Sequence, residues 1–324
     1  MYRRPMSEVD VFNGDADGLC GITQLRLAQP KQSSVITGVK RDNALLVQAS
    51  LSGVSQVTVV DISLHTNLYA LNKALASGCK VEWFDHHHPG EIPKHPNLTA
   101  HIDTDPNVCS SLIINAHLNG QFQNWAITGA FGDNLDQSAR ELAASGSLST
   151  TSIAVLRELG NCINYNSYGE SIEDLHYHPH ELYYLMQQFD EPLNMVAETE
   201  VLRVLKSCYE EDLSRARKVL TQIINDDVAI AVLPNEKWGR RINGIYANEL
   251  ANNFPNRAHA ILIEKKNGYT VSIRAPKSNP THAQQVALKF DTGGGRHAAA
   301  GIQHLPNDQL IRLTEALTHQ YFSS

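Results

Sequence analysis

Two aspartates that are one residue apart, Asp15 and Asp17, lie between glycines in the segment NGDADG, directly after a short apolar run. In an extended segment, residues i and i+2 point to the same side, so both carboxylates could face one point in space. Two like charges in that arrangement repel each other unless a divalent cation joins them. The spacing therefore indicates a metal site, although an isolated Asp-x-Asp pair in a glycine turn often serves only the turn.

Three further acidic segments follow along the chain. Asp61 ends the run VTVVD, Asp85 ends KVEWF with His86 and His87 behind it, and Asp133 follows WAITGAFG. Taken alone, Asp61 could cap a helix and Asp133 could belong to a turn. Oxygen donors combined with imidazole suit hard or borderline divalent ions such as manganese or magnesium. We expect each of these groups at the end of a strand, or in the turn after it, around one metal centre.

Short β-rich runs alternate with helix-like stretches in the first part of the chain. The predicted strands cover 9–12, 34–39, 57–61 and 80–84. Strand–helix alternation predicts an α/β fold with a doubly wound parallel sheet. Ligands of such sheets bind beyond the carboxyl ends of the strands, where the acidic segments are expected.

The length of 324 residues suits two domains. The pattern from about 134 to 225 is helical, and the β-rich runs after residue 226 are followed by a final helix, which predicts a smaller α/β unit. We therefore predict a catalytic metal-binding domain over 1–195, a helical linker over 196–225 and a substrate-binding domain over 226–324.

The segment TGGGRHAAAG places Gly293, Gly294 and Gly295 directly before Arg296 and His297. Without side chains the backbone can approach an anion closely, and successive N–H groups can form a concave nest for a phosphate. Arg296 and His297 would add charge-assisted donors. The following AAAG predicts a helix or tight packing of small residues. An isolated triple glycine could also be a flexible surface loop.

The segments GDADG, VVDIS, FDHHH and GAFGDN, in this order, resemble the four motifs of the DHH phosphoesterase superfamily. VSIRA and FDTGGGRHAAAG are similar to the signature of the DHH-associated second domain of that superfamily. The resemblance extends from Val9 to about Gly301. It implies a centre of two manganese ions, with magnesium as the alternative, that activates water for phosphodiester hydrolysis. The implied ligands are Asp15, Asp17, Asp61, His86 and Asp133, with Asp61 bridging both ions.

The same resemblance implies roles for residues around these ligands. His87 would be catalytic, in contact with the metals or with the scissile phosphate, and Asp85 would orient His86 from behind. Val11 occupies the position at which many family members carry a metal-binding histidine. Asn13 is the nearest polar residue, and it would be a weaker ligand.

The implied substrate contacts come from the second domain. Arg274, on the strand YTVSIRA, lies where the family has a substrate-contacting arginine. It would act together with the glycine nest of Gly293, Gly294 and Gly295 and with Arg296 and His297.

The net charge of −7 is concentrated before residue 226, and the remainder of the chain is mildly basic. This balance argues against a tight, nonspecific grip on long nucleic acid, which relies on many phosphate contacts. Family members that are long exonucleases carry an additional nucleic-acid-binding domain, and we expect none here. We therefore predict an oligoribonuclease-like enzyme that cleaves short, linear, 5′-phosphorylated oligoribonucleotides to mononucleotides. The leading candidate is pGpG, the linear product of cyclic di-GMP breakdown.

Three alternatives remain open from the sequence. The substrate could be a cyclic dinucleotide or pAp, or the chain could be a nucleotide-binding regulatory protein with weak catalysis. Only Val11 supports the regulatory reading.

The sequence also predicts where the protein resides. It starts without an apolar signal-peptide core, contains no run long enough to cross a bilayer, and has five scattered cysteines without a CxxC pair. These features predict a cytoplasmic protein with reduced thiols and no membrane partner, and they leave a homodimer open.

Overall fold

The computed structural model describes residues 7–49 and 51–322. The chain divides into two compact units, Met1–Lys206 and Ser207–Ser324. Residues 1–6 and 323–324, at the outer ends of the first and last predicted domains, lie outside the described residues. Most of the N-terminal segment for which we predicted no signal peptide lies outside them as well. Across the described ranges, no helix has both the length and the apolar character needed to cross a bilayer.

The first unit is built on a parallel sheet. Its described strands are β1 (Ser7–Asn13), β2 (Ser33–Gly38), β3 (Val54–Val60), β4 (Lys80–Asp85) and β5 (Leu98–Ile102). They lie in the order β2-β1-β3-β4-β5, and all neighbouring pairs are parallel. The predicted doubly wound α/β fold is therefore confirmed, with β5 as a strand that the sequence pattern did not predict.

The apolar residues of these strands are buried on both faces of the sheet. On β1, Val11 packs in the same cluster as Trp83, whereas Phe12 packs with Val60 and Phe84 on the other side. Both faces need apolar side chains because helices cover a parallel sheet on each side. This explains why the strands are continuous apolar runs rather than alternating ones.

Helices connect and cover these strands. They are α1 (Ala16–Ala28), α2 (Leu64–Ala76), α3 (Ser110–His117), α4 (Gln123–Gly132), α5 (Asp136–Ala144), α6 (Thr150–Asn166), α7 (Pro179–Met186), α8 (Pro192–Glu198) and α9 (Val201–Arg217). The stretch before Asp133 forms α4, so the prediction that Asp133 follows a strand was wrong. The small residues of this stretch permit close helix packing, since a Cβ atom at Gly132 would lie 2.3 Å from the Cβ of Ala16.

The second unit contains a mixed sheet. Its described strands are β6 (Thr221–Asn225), β7 (Val228–Leu233), β8 (Ala258–Lys265), β9 (Gly268–Arg274), β10 (Gly293–Gly295) and β11 (Ala299–Pro306). They are joined by α10 (Lys237–Asn253) and α11 (Ala283–Ala287) and followed by α12 (Leu310–Tyr321). The order is β10-β11-β9-β8-β7-β6, in which only β7 and β8 pair in parallel among the described strands.

Two local predictions need correction in this unit. The strand β6 falls inside the range 196–225 that was predicted as a helical linker, because its residues pair with β7. The AAAG segment begins β11 rather than a helix, since Ala299 and Ala300 pair with Arg274 and Ile273 of β9. The predicted domain boundaries otherwise remain predictions.

One buried ion pair crosses the first unit. Arg26 of α1 donates two hydrogen bonds to Asp10 of β1, at 2.7 and 2.5 Å, and a third to the hydroxyl of Thr58 at 2.9 Å. The hydroxyl of Tyr183 donates to Asp10 at 2.8 Å. These hydrogen bonds connect α1 to the sheet, and both charged groups of the buried pair have bonded partners.

Removing the cation of this pair should be strongly destabilising. We expect Arg26→Met to lower the free energy of unfolding by about 3–5 kcal/mol, because Asp10 remains buried without its counter-ion. The control Arg203→Met removes an exposed pair with Glu200 and should change it by about 1 kcal/mol or less. Urea unfolding followed by circular dichroism measures both. Equal small losses would contradict the structural role of Arg26.

The second unit buries a histidine that should titrate. His259 of β8 is 1% exposed, and neither ring nitrogen has a hydrogen-bond partner among the described residues. Burial, together with the charge of Arg257, lowers its pKa to about 4. The folded protein thus favours the neutral ring, and the stability that depends on it is present above pH about 6.5 and lost towards pH about 4.

We expect this loss to reach about 3 kcal/mol for the unit that contains His259. His259→Gln lacks the titrating ring, so its free energy of unfolding should fall less over the same pH interval. Denaturant unfolding of both proteins at several pH values between these limits measures the difference. Parallel pH profiles for the two proteins would contradict the assignment.

Candidate metal centre

Asp15 and Asp17 lie where β1 turns into α1. Asp15 caps the helix, and its Oδ1 accepts a hydrogen bond from the backbone N–H of Gly18 at 3.0 Å. Asp17 lies in the first helical turn and accepts from the N–H groups of Ser110 and Ser111 at 2.7 and 2.8 Å, where α3 begins. The prediction of an extended segment holds for Asp15 but was wrong for Asp17, because α1 begins at Ala16. The two carboxylates also have different partners.

Asp61 directly follows β3 and differs from the other carboxylate residues of the centre in its positive φ. Its φ of 58° is left-handed, which is uncommon for a residue with a side chain and is typical of functional positions. Its Oδ1 accepts a hydrogen bond from the hydroxyl of Ser110 at 3.0 Å. Burial raises the pKa of the Asp61 carboxyl well above its ordinary value, and the charges of Asp15, Asp17 and Asp133 raise it further.

His86 follows β4 and presents one nitrogen to the carboxylates. Its Nδ1 lies 3.1 Å from the carbonyl oxygen of Val108, a position that suits a donated N–H. Its Nε2 lies 3.5 Å from Oδ1 of Asp61 and 3.9 Å from Oδ2 of Asp133. When Nδ1 carries the proton, the lone pair of Nε2 is available to a metal ion.

Asp85 contacts His87 rather than His86. Its Oδ1 lies 2.7 Å from Nδ1 of His87, so the prediction that Asp85 orients His86 was wrong. The backbone carbonyl of Val108 takes that place. The hydrogen bond to Asp85 raises the pKa of His87. Oδ2 of Asp85 is buried and has no hydrogen-bond partner among the described residues.

Asp133 ends α4 and faces Lys40, which follows β2. Oδ1 of Asp133 lies 3.5 Å from Nζ of Lys40, and the same ammonium lies 2.5 Å from Oδ2 of Asp15. Burial and the charge of Asp17 raise the pKa of Asp133 to about 6. Burial acts against the charge on Lys40, but the charges of Asp15, Tyr168 and Asp133 together outweigh it and raise the pKa of Lys40 well above its ordinary value.

The residues present fit a divalent cation. The ligand atoms of Asp61, His86 and His87 lie within 4.8 Å of one another, and so do those of Asp17, His86 and Asp133. Carboxylate oxygens with one imidazole nitrogen form a donor set for manganese or magnesium, and no thiolate takes part. The order of the strands places the centre at the carboxyl edge of the sheet, near the adjacent strands β1 and β3.

Val11 and Asn13 do not add ligands. Val11 is fully buried among apolar residues of the sheet. The amide nitrogen of Asn13 donates to the carbonyl of Lys40 at 3.1 Å, and its Oδ1 accepts from the N–H of Asp15 at 3.2 Å. The side chain of Asn13 therefore links Lys40, which follows β2, to Asp15, which caps α1.

The second unit holds the remaining predicted residues. Arg274 ends β9, and its guanidinium donates to Oδ1 of Asn248 at 2.6 Å and to the carbonyls of Ile273 and Gly244 at 3.0 and 3.3 Å. Arg296 and His297 are exposed in the turn between β10 and β11.

The three glycines form the strand β10 instead of a nest. Successive N–H groups of a strand point to opposite sides, so they do not converge on one anion as predicted. A Cβ atom at Gly293 would lie 1.8 Å from the carbonyl of Ala287, and one at Gly295 would lie 2.4 Å from the Cα of Ala300. Close backbone packing thus explains these two glycines. A Cβ atom at Gly294 would meet nothing within 4 Å.

The sequence analysis missed Lys40, Ser110 and Ser111. Lys40 follows a predicted strand, so its place at the carboxyl edge could have been noticed from the sequence. Ser110 and Ser111 begin a predicted helix, and an anion is stabilised at such a helix N-terminus. Nothing in the sequence pairs them with Asp17, which lies more than 90 positions earlier.

The hydroxyl of Ser110 should contribute to metal affinity. We expect Ser110→Ala to weaken Mn²⁺ binding by about tenfold or more, because it removes the hydrogen bond that orients Asp61. The backbone contacts of Ser110 to Asp17 persist in this variant. Isothermal titration calorimetry with Mn²⁺ measures the change. Ser145→Ala is the matched control, because it removes an exposed hydroxyl that bonds the carbonyl of Leu142 and the amide of Gln123, far from Asp61 in sequence. Equal affinities in the two variants would contradict the role of Ser110.

Comparisons with known proteins agree with this architecture. Residues 210–321 match the DHHA1 domain. No curated protein matches the chain. RecJ from Thermus thermophilus, crystallised with Mn²⁺, is similar in structure with a TM-score of 0.67 and 17% sequence identity. The similarity covers 97% of this chain and 52% of that RecJ, so the chain spans about half of its length. A second structure of RecJ contains Mg²⁺.

Two smaller proteins are similar over most of their length. The pGpG-specific phosphodiesterase PggH from Vibrio cholerae has a TM-score of 0.55 and 12% identity, covering 97% of this chain and 98% of that one. An exopolyphosphatase-related protein from Bacteroides fragilis has a TM-score of 0.54 and 14% identity, covering 98% and 93%. The predicted resemblance to the DHH-associated second domain is confirmed for residues 210–321, which match the DHHA1 domain. Over the rest of the chain, the similarity to the solved structures is one of fold.

Proposed function

We propose that the protein is a metal-dependent phosphodiesterase that cleaves short, linear, 5′-phosphorylated oligoribonucleotides to mononucleotides. The observation that carries this proposal is the convergence of buried aspartates with Nε2 of His86 at the carboxyl edge of the first sheet. A divalent cation bound there would polarise the scissile phosphate and lower the pKa of water. Manganese is our prediction for the metal, and magnesium is the alternative.

The residues around the centre would position the ligands. Ser110 holds Asp17 and Asp61 through its backbone N–H and its hydroxyl. The carbonyl of Val108 holds the ring of His86 with Nε2 towards Asp61. Held in this way, the donor atoms need little rearrangement when the cation and the phosphate bind, which is the basis of electrostatic catalysis.

His87 would act on the substrate. Because Nδ1 of His87 is bonded to Asp85, the nitrogen that remains is Nε2, which can donate a proton or a hydrogen bond to a phosphate oxygen or a leaving oxygen. The side chain of His87 is 43% exposed, whereas that of Asp85 is fully buried. This arrangement resembles a general acid that is oriented by a carboxylate behind it.

A dinucleotide such as pGpG is the substrate that we propose. The similarity to the pGpG-specific phosphodiesterase PggH over nearly the full length of both chains supports a short substrate, and so does the net charge of −7. Arg274, Arg296 and His297 are our candidates for substrate contacts in the second unit. Gly294 joins them, because packing does not explain the absence of a side chain there.

The proposed setting of the enzyme is the cytoplasm. No disulfide joins any of the five cysteines, which all lie in the part of the chain that the structure describes, in keeping with the prediction of reduced thiols.

A substrate panel tests the proposed activity. The protein is incubated with Mn²⁺ and pGpG, cyclic di-GMP, pAp or a longer single-stranded DNA, and the released mononucleotides are measured by chromatography. We expect the highest kcat/KM for pGpG. Faster hydrolysis of cyclic di-GMP, pAp or the longer DNA would reject the proposed substrate, and turnover of none of them would reject the enzymatic function.

Asp61→Asn should lower kcat for pGpG by more than about a hundredfold. Loss of a residue that only orients a metal ligand typically costs about 10–100-fold, and loss of the ligand itself should cost more. The control Asp190→Asn makes the same change at an exposed aspartate and should retain the activity of the unmodified protein. Near-full activity of Asp61→Asn would show that the metal assignment is wrong.

A further inference from the structure

Lys40 is held in the carboxylate cluster by its own backbone. Its N–H donates to the carbonyl of Ser167 at 2.9 Å, and its carbonyl accepts from the amide of Asn13 at 3.1 Å. Both ends of the residue are therefore fixed, one to the end of α6 and the other to the end of β1. This anchoring fixes the backbone from which the side chain enters the cluster.

The ammonium group lies between two of the predicted metal ligands. Its Nζ donates to Oδ2 of Asp15 at 2.5 Å and to Oδ1 of Asn164 at 3.0 Å. Oδ1 of Asp133 is 3.5 Å away, slightly beyond ordinary hydrogen-bond length. A lysine ammonium has three donors, so one N–H remains for Asp133 or for a phosphate oxygen of the substrate.

The groups that would hold a second ion are engaged or apolar. Both carboxylate oxygens of Asp15 accept hydrogen bonds, from Gly18 and from Lys40. Both polar atoms of the Asn13 side chain are bonded to backbone groups. Val11 is buried in the apolar core and offers no donor.

The remaining ligand atoms form two groups that share His86. Both groups of converging ligands contain His86, and its Nδ1 is turned to the carbonyl of Val108. Only Nε2 is available, and one lone pair binds one ion. Nε2 lies 3.5 Å from Oδ1 of Asp61 and 3.9 Å from Oδ2 of Asp133, so an ion that binds His86 is within reach of a carboxylate from each group.

We propose that Lys40 takes the place of one of the two cations, so that the centre holds one divalent ion and one fixed ammonium charge. This inference rests on the proposed function, in which the cluster binds a phosphodiester. The ammonium screens Asp15 from Asp133 and offers a point charge to a phosphate oxygen.

The metal content of the unmodified protein tests the inference directly. The protein is saturated with Mn²⁺, freed of excess ion by gel filtration and analysed by inductively coupled plasma mass spectrometry and by electron paramagnetic resonance. We expect one ion per chain and the spectrum of an isolated Mn²⁺ ion. Two ions per chain, with the spectrum of a spin-coupled pair, would overturn the inference without any variant.

The variant Lys40→Met tests whether the ammonium excludes the second ion. It should bind two Mn²⁺ ions per chain and give a spin-coupled spectrum, because Asp15 and Asp133 lose the charge between them. Lys31→Met removes a lysine that pairs with Glu8 at 3.8 Å and should still bind one ion. A folded Lys40→Met protein that binds only one ion would overturn the inference, and circular dichroism establishes that it is folded.

The metal count is independent of turnover, so the two proposals can fail separately. A protein that binds one ion but cleaves no nucleotide of the panel would reject the proposed function and support the role of Lys40. A protein that cleaves pGpG while binding two ions would support the proposed function and reject the role of Lys40.

Discussion

Electrostatic repulsion among buried carboxylates is the constraint on which the rest of the structure depends. Two carboxylates about 4 Å apart repel by about 4 kcal/mol at an effective dielectric constant of about 20, and several aspartates act on Asp61 at once. The chain compensates some of them itself. Asp15 receives an amide N–H and the ammonium of Lys40, and Asp17 receives two amides where α3 begins. The negative charge that stays uncompensated lies on Asp61 and Asp133, whose pKa values are raised. A divalent cation on that side of the cluster would offset this charge.

The parallel sheet makes this concentration of charge geometrically feasible. Because all described strands of the first sheet run the same way, the residues after β1, β2, β3 and β4 meet at one edge. Helices that begin at this edge direct their N-terminal amides towards it, and those amides stabilise anions. The backbone of Asp61 is left-handed where β3 ends, which is an uncommon conformation for a residue with a side chain. The chain thus adopts a strained turn at this edge of the sheet. The fold thus supplies both the carboxylates and part of their compensation.

Much of the fold and about half of the centre could be predicted from the sequence. Long apolar runs indicated the first four strands, and the acidic residues beyond them indicated the metal site. The short segment 98–102 was missed because LTAHI, with a histidine inside, carries little apolar signal. Lys40 and Ser110 were missed for another reason. Their roles depend on partners 25 and 93 positions away, and a local pattern contains no information about such pairs. Asp133 was expected after a strand because the apolar stretch before it is as short as a strand. That stretch is instead the helix α4, and its residues are apolar because they pack against other helices.

Two ion pairs, one on β1 and one just beyond its end, show how a structural pair differs from one that is suited to chemistry. Around Asp10 and Arg26, both carboxylate oxygens are bonded and the side chains are 1% and 3% exposed. Around Asp15 and Lys40, the lysine side chain is 29% exposed and the neighbouring Asp133 is 21% exposed. The first pair is closed to any ligand, so its contribution is to stability. The second pair has the same charges beyond the carboxyl end of the strand, yet it remains open to solvent on one side. A phosphate can approach only a positive charge that is open in this way, and solvent access therefore decides which of the two pairs can take part in binding.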